Sequence, residues 1–241
     1  MAQSKFALIV GATGAIGSST ARRLAKEGWN IYLHCNRSHD KGKVLLQELR
    51  EFYPAQHFSL HSFEMSTKAE MDVSFVFELD AIVFAHGGTL YKEWIETSLK
   101  ESSALLETYI LAPQKLLQAL YPKLKDSSIV FIGSIFGDKG ASWEVAYSTA
   151  KAAQNGLVKS LAREWATLPV RVNSVQAGFI DSGIHGHLTE EDEKVTIASI
   201  PLKRKGHPDA IAHAVCFLVG EDSRFITGQQ IAVDGGWNLI G

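Results

Sequence analysis

Lys5-Phe-Ala-Leu-Ile-Val10, running without a break into Gly11-Ala-Thr13-Gly14-Ala-Ile16-Gly17, is the stretch that decides the fold. A short apolar run, β-branched at its end and closed by glycine, reads as a strand buried on both faces of a parallel sheet. From Ser18 to Lys26 the apolar spacing becomes helical, with Gly28 as a stop signal. Strand, glycine turn and helix in this order open a dinucleotide-binding unit. The glycines let the backbone turn tightly and let a pyrophosphate approach a helix N-terminus, whose free N–H groups and dipole favour an anion. Gly11, Thr13, Gly14, Ile16 and Gly17 are the residues expected at that contact.

The same alternation continues down the chain. Asn30 to His34 is a second strand, and Lys41 to Tyr53 an amphipathic helix ending before Pro54. His57 to Phe63 reads as a third strand, with Glu64 and Met65 at its carboxyl edge, where an adenine would lie. Thr67 to Glu78 reads as a clipped crossover helix and Asp80 to Ala85 as the fourth strand, followed by His86 and Gly87. Thr97 to Leu120 has helical spacing with Pro113 inside it, which predicts a kink. Ser128 to Ile132 is a fifth strand that delivers Ser134 at its carboxyl end. A long helix over Ala146 to Thr167, a strand over Val170 to Val175, helices over Thr189 to Ser199 and Pro208 to Val219, and a strand over Gln230 to Val233 complete the pattern. The expected fold is α/β: one doubly wound domain over residues 1–241, with a mainly parallel seven-stranded sheet and helices on both faces.

Cofactor preference is read at the end of the second strand. A carboxylate there would bond the 2′-hydroxyl of NAD and repel a 2′-phosphate. Asn36, Arg37 and Ser38 stand there instead. Arg37 can pair with a phosphate and Ser38 can donate to it, so NADPH is expected over NADH.

Chemistry is expected at Tyr147-Ser-Thr-Ala-Lys151, thirteen residues beyond Ser134. On a helix, Tyr147 and Lys151 share one face, and an ammonium beside a phenol favours the phenolate. The pair can therefore give and take a proton at a carbonyl or alcohol. Tyr121 and Lys125 repeat the spacing, so it decides nothing alone.

Composition excludes several alternatives. The 241 residues are 46% hydrophobic and 21% charged, with net charge -2, which argues against a general nucleic-acid binder or a membrane-surface protein. No apolar run reaches the roughly 18 residues of a membrane span. Cys35 and Cys216 form no metal-ligand or disulfide pattern, and a reducing, cytoplasmic setting is expected. His185 and His187 have no third fixed ligand, so no metal site is expected.

Taken as an ordered set, these motifs resemble the short-chain dehydrogenase/reductases, in the compact branch that includes 3-oxoacyl-[acyl-carrier-protein] reductases. The set includes the turn from Gly11 to Gly17, Ser134 with Tyr147 and Lys151, Arg171-Val-Asn173, Ala177-Gly178-Phe-Ile180 and Asp234-Gly-Gly236. The resemblance implies a Rossmann fold and reduction of a ketone by NADPH. Tyr147 would protonate the carbonyl oxygen and Ser134 bond it. Lys151 would lower the Tyr147 pKa and hold the nicotinamide ribose. Ala85, His86, Gly87, Gly178, Ile180 and Ser182 would complete the cofactor contacts, with Ser182 near the nicotinamide amide. It also implies a homo-oligomer, a tetramer or dimer, built on the two long helices.

This chain departs from the family at several places. Val10 and Ala15 stand where the family's glycine turn has Thr before its first Gly and Gly in the sixth place, Phe84-Ala85-His86-Gly87 replaces Asn-Asn-Ala-Gly, and Tyr109 stands where an Asn supports proton relay to the lysine. Basic residues that would hold an acidic carrier protein are reduced to Lys125, with Leu168 at the second position. Glu144-Val-x-Tyr147-Ser and Ala152-Ala-Gln-Asn155 are similar to a divergent branch associated with reducing an aminopentanone on a lysine of elongation factor P. The acidic run Glu190 to Glu193 would suit a cationic protein substrate. A non-catalytic NADPH-sensing regulator is the rival from another class.

Overall fold

The computed structural model describes residues 4–124, 126–183 and 188–239. Seven strands form one sheet: β1 Phe6–Val10, β2 Asn30–Cys35, β3 Phe58–Ser62, β4 Ala81–Phe84, β5 Ser128–Ser134, β6 Arg171–Ala177 and β7 Gln230–Val233. Their order is β3-β2-β1-β4-β5-β6-β7 and every pairing is parallel. A parallel pair needs a crossover, and the crossovers place helices on both faces. Each face then buries alternate strand residues. Ala7 and Ile9 of β1 join one apolar cluster with Leu24, Leu49 and Val215, whereas Leu8 and Val10 join another with Leu116, Leu120 and Val158.

The first face carries α1 Ala15–Lys26, α2 His39–Phe52 and α8 Pro208–Val219, and the other face α4 Ala112–Leu120 and α6 Val145–Glu164. Shorter helices are α3 Leu99–Leu106, α5 Phe136–Lys139 and α7 Glu190–Ser199. α3 and α7 each start with a capping box, Ser98 with Glu101 and Thr189 with Asp192. Because chain direction reverses its winding between β1 and β4, the carboxyl ends of β1, β2, β4, β5 and β6 frame a crevice at that switch point. Among the described residues no helix is long and apolar enough to cross a membrane.

Two elements differ from the sequence reading. The crossover over 67–78 contains turns and no helix. Its Met71, Val76 and Leu79 bury into the α4 face one at a time, and lysines take over the role of helical N–H donors. Lys115 donates to the carbonyls of Thr67 at 2.8 Å and Ala69 at 2.7 Å, and Lys123 donates to Val76. These carbonyls are exposed or half-buried, and an ammonium serves them as well as a backbone N–H. The second difference is the kink at Pro113. The interruption instead lies just upstream, as a π-turn over Glu107–Leu111 between α3 and α4.

Candidate active site

Strand β5 ends on Ser134, and α6 presents Tyr147 and Lys151 one turn apart beside it. All three line one open cleft at the carboxyl edge of the sheet. Tyr147 is buried; burial raises its pKa, and a hydrogen bond with Ser134 opposes the rise. The expected lowering by Lys151 is therefore reversed, because desolvation dominates. Lys151 is 3% exposed. Its Nζ donates to Ile132 O at 2.8 Å and Gln154 Oε1 at 3.3 Å. It lies 3.8 Å from the centroid of the Tyr109 ring and 5.8 Å from that of Tyr147. Burial without a carboxylate partner lowers the amine to about 7. A desolvated cation over a phenol face is stabilised by about 2 kcal/mol, so Tyr109 helps keep the ammonium charged.

The π-turn puts Tyr109 there. The N–H of Ala112 bonds Glu107 O, five residues back, so the carbonyl of Thr108 would need the N–H of residue 113, which Pro113 lacks. His86 fills the gap: its Nε2–H donates to Thr108 O at 2.9 Å. This leaves His86 Nδ1 unprotonated and, among the described residues, without a partner. The Tyr109 ring packs edge-on to Tyr147 at 5.8 Å between centroids, and its hydroxyl donates to Gly88 O. Residue 87 must be glycine, since a Cβ there would stand 2.5 Å from the Tyr109 hydroxyl and φ is +120°.

The glycine turn is built for close approach. A Cβ on Gly17 would meet Gly11 O at 2.2 Å. Helix α1 has no side-chain cap on Gly14 and no acid in its first turn, so its N-terminus is free to meet an anion. Under the turn, His34 accepts from the Gly11 N–H through Nδ1 at 3.2 Å and donates from Nε2 to Phe63 O at 2.9 Å. It thereby ties β1, β2 and the loop after β3 together. In the sequence His34 marks only the end of a strand, since no local pattern singles out a histidine beneath a turn. Burial lowers both His34 and His86 to about 4. Their folded pKa values lie below the unfolded value near 6.5, so this stability is full above that pH and is lost as pH falls towards 4. Urea titrations should show up to about 3 kcal/mol lost per histidine across that window.

Of the other residues expected at the site, Ile16, Ala85, His86, Gly87, Gly178, Ile180 and Ser182 line the same cleft. Gly11, Thr13, Gly14 and Gly17 form the turn beside it. Asn36, Arg37 and Ser38 lie exposed at the end of β2, and Glu64 and Met65 follow β3, the first exposed and the second half-buried. The decoy Tyr121 stands apart at the end of α4, against Trp165. Lys125, His185 and His187 lie outside the described residues. Thr89 and Trp237 also line the cleft without any sequence signal, and so does Glu144, which the sequence offers only as part of a motif. Neither Thr89 nor Trp237 belongs to a spaced motif; tertiary folding brings them in.

A parallel sheet with a glycine turn at its switch point, and a buried Tyr-Lys pair beside a serine, define an oxidoreductase of the dinucleotide-binding class. Residues 11–238 match the family profile described as Enoyl-(Acyl carrier protein) reductase, and the chain belongs to the short-chain dehydrogenase/reductases. It is 34% identical to "Uncharacterized oxidoreductase YmfI" of Bacillus subtilis, over 98% of this chain and 99% of that one. Identity is 30% with "3-oxoacyl-[acyl-carrier-protein] reductase FabG" of Staphylococcus aureus strain Mu50, over 98% and 99%. The solved structure of YwfH, an NADPH dependent reductase involved in bacilysin biosynthesis, shares the fold. Its TM-score is 0.89 at 21% identity, and the match covers 98% of each chain.

Proposed function

We propose that the chain reduces a ketone to a secondary alcohol with NADPH. The observation that carries the reading is the convergence of Ser134, Tyr147 and Lys151 on one cleft beside a glycine turn. The residues fit the cofactor: an uncapped helix start, a turn that admits no further Cβ at Gly17, and the exposed Arg37 and Ser38 beyond β2. The bound nicotinamide supplies the hydride. Tyr147 donates the phenolic proton to the carbonyl oxygen. Lys151, as ammonium, stabilises the phenolate left behind, while the Ser134 hydroxyl donates to the oxygen as charge develops. Tyr109 holds the ammonium in line from its ring face. Proton return to Tyr147 completes the cycle.

Supporting a reductase over a sensor is the expense of the site, since a buried lysine near neutrality serves proton traffic and not binding alone. Nothing in the described surface adds support for docking on an acidic carrier. Leu168 packs half-buried on the α4-face cluster in the place where a basic residue would be expected. Exposed Trp94, Ile95, Leu99, Leu106 and Leu111, on or just before α3 and the π-turn, support a homo-oligomer.

NADPH oxidation followed at 340 nm across a panel of ketones tests the reading; NADPH binding with no turnover on any ketone would contradict it. Removing Arg37 tests the cofactor preference. Arg37→Ala should weaken NADPH binding about tenfold or more and leave NADH within about twofold, read as two titrations of cofactor fluorescence.

A further inference from the structure

The Lys151 ammonium is committed on every side. Its Nζ donates to Ile132 O and Gln154 Oε1, and it rests on the Tyr109 ring, 3.8 Å from the centroid. Its charge steadies a phenolate at Tyr147, but this almost fully buried side chain turns no N–H towards solvent. His86 is no better placed, because its ring N–H is held by Thr108 O. Each turnover still removes a proton from Tyr147, and a further group has to put it back.

Glu144 lies where such a group is needed. It is 5% exposed and is the N-cap of α6, yet its side chain makes no cap bond to that helix. An N-cap acid ordinarily accepts from the second or third N–H of its helix. This carboxyl turns into the cleft instead, one oxygen accepting from Thr89 Oγ1 at 2.9 Å. The loop after β4 holds the turn that aims it. Trp143, immediately before Glu144, takes a left-handed φ of +64°. The Lys92 N–H donates to the Trp143 carbonyl at 2.6 Å, and the Trp143 ring stacks on Tyr91 at 5.6 Å between centroids. Backbone strain of this kind persists only where surrounding contacts impose it.

The same side chain borders two chambers. The inner one is the cleft of Ser134 and Tyr147. The outer one is walled by Tyr91, Phe136, Phe179 and Trp237 and reaches the exposed Asp192 and Val195 of α7. Among the described residues no other titratable side chain lines both. The Ser148 N–H bonds the Glu144 carbonyl at 2.8 Å in helical fashion. Glu144 and Tyr147 are therefore one turn apart, about 5–6 Å between their Cβ atoms. Burial raises the Tyr147 phenol and the Glu144 carboxylate adds to the rise, and both effects act on Tyr109 as well. Burial also raises Glu144 itself. A phenolate at Tyr147 thus draws a proton strongly, and Glu144 keeps one to higher pH than a surface carboxyl does.

We infer that Glu144 returns the proton to Tyr147, passing it from the outer chamber to the inner one. The inference rests on the reductase reading and deepens it. After the phenol has protonated the carbonyl oxygen, the Glu144 O–H bond breaks as a new O–H bond forms at Tyr147, directly or through solvent in the cleft. The carboxylate left behind takes its next proton from water in the outer chamber. Ketone, NADPH and one proton from solvent then give alcohol and NADP+, and the cycle closes with both side chains restored.

Proton return follows hydride transfer, so its loss is read in repeated turnover and not in the first. With the ketone that the wild type turns over fastest, Glu144→Gln should lower kcat about tenfold or more and KM in parallel, leaving kcat/KM within about threefold. Stopped-flow absorbance at 340 nm should show a burst of about one NADPH oxidised per site at near the wild-type rate, then the slow phase. In Glu144→Ala, formate at about 0.1 M should restore at least about a third of kcat by occupying the vacated space. A kcat in Glu144→Gln within about twofold of wild type, a first turnover slowed as much as kcat, or no response of Glu144→Ala to formate overturns the inference. Infrared difference spectra, wild type minus Glu144→Gln, decide the matter without turnover. They should contain a protonated carboxyl band that persists above the ordinary carboxylate range, and a band lost within that range overturns the inference as well. That band together with no turnover on any ketone would count against the reductase reading alone.

Discussion

Tyr147→Phe lowers kcat/KM for ketone reduction by at least about 10³-fold while NADPH affinity stays within about threefold. The substitution removes one oxygen. The ring retains its edge contact with Tyr109 at 5.8 Å and its place on α6, so the cleft and its cofactor contacts persist. Only the proton donor and its hydrogen bond with Ser134 are lost. Water can supply a proton in its place, but not at a fixed distance from the carbonyl oxygen, and orientation accounts for most of the loss. Steady-state kinetics with a cofactor titration checks both halves. A comparable loss of cofactor affinity would mean that the ring supports the binding site and that the rate effect is indirect.

Lys151→Met costs a similar factor, about 10²–10⁴-fold in kcat/KM, and also alters the pH profile. Methionine keeps the aliphatic bulk above Tyr109 but loses the charge and the bonds to Ile132 and Gln154. In the wild-type protein the Lys151 amine lies near 7. It is ammonium below that pH and free amine above it, and only the ammonium stabilises a phenolate at Tyr147. The rate of reduction should therefore fall as pH rises through about 7, approaching tenfold per unit, and this inflection should be absent in Lys151→Met. An inflection that survives the substitution belongs to another group, and would remove Lys151 from the proton path. Tyr109→Leu supplies the complementary control. Without the ring face the ammonium loses its partner, and the inflection should move to lower pH.

Most of the sheet was legible because a parallel strand buried on both faces is a short, nearly continuous apolar run. β1, β4 and β5 have that form; β1 runs into Gly11, β4 into Ala85 and His86, and β5 closes on Gly133 and Ser134. The Tyr147-Lys151 pair was legible for a local reason as well, since four residues of helix bring both to one face. What escaped depends on contacts distant in sequence. Spacing from Thr97 to Leu120 predicts a helix kinked at Pro113, because an apolar stripe continues across the π-turn. Only the orphaned Thr108 carbonyl and its donor His86, 22 residues away in sequence, explain why the break falls upstream of the proline. Tyr109 looked like a missing Asn in sequence; in three dimensions it is the surface on which Lys151 rests. The crossover over 67–78 carries enough apolar residues for a helix, but α4 supplies a lysine that satisfies its carbonyls without one.

The most direct test of the account is to follow the hydride. The protein is incubated with NADPH deuterated on the transferred face of its nicotinamide C4 and with the ketone of the panel that it turns over fastest, and the alcohol is read by mass spectrometry. The account predicts one deuterium at the carbinol carbon for each NADPH consumed, and no labelled alcohol from Tyr147→Phe above about a thousandth of the wild-type rate. NADPH that binds tightly while no ketone in the panel gains deuterium would contradict it, and would make the chain a dinucleotide-binding sensor.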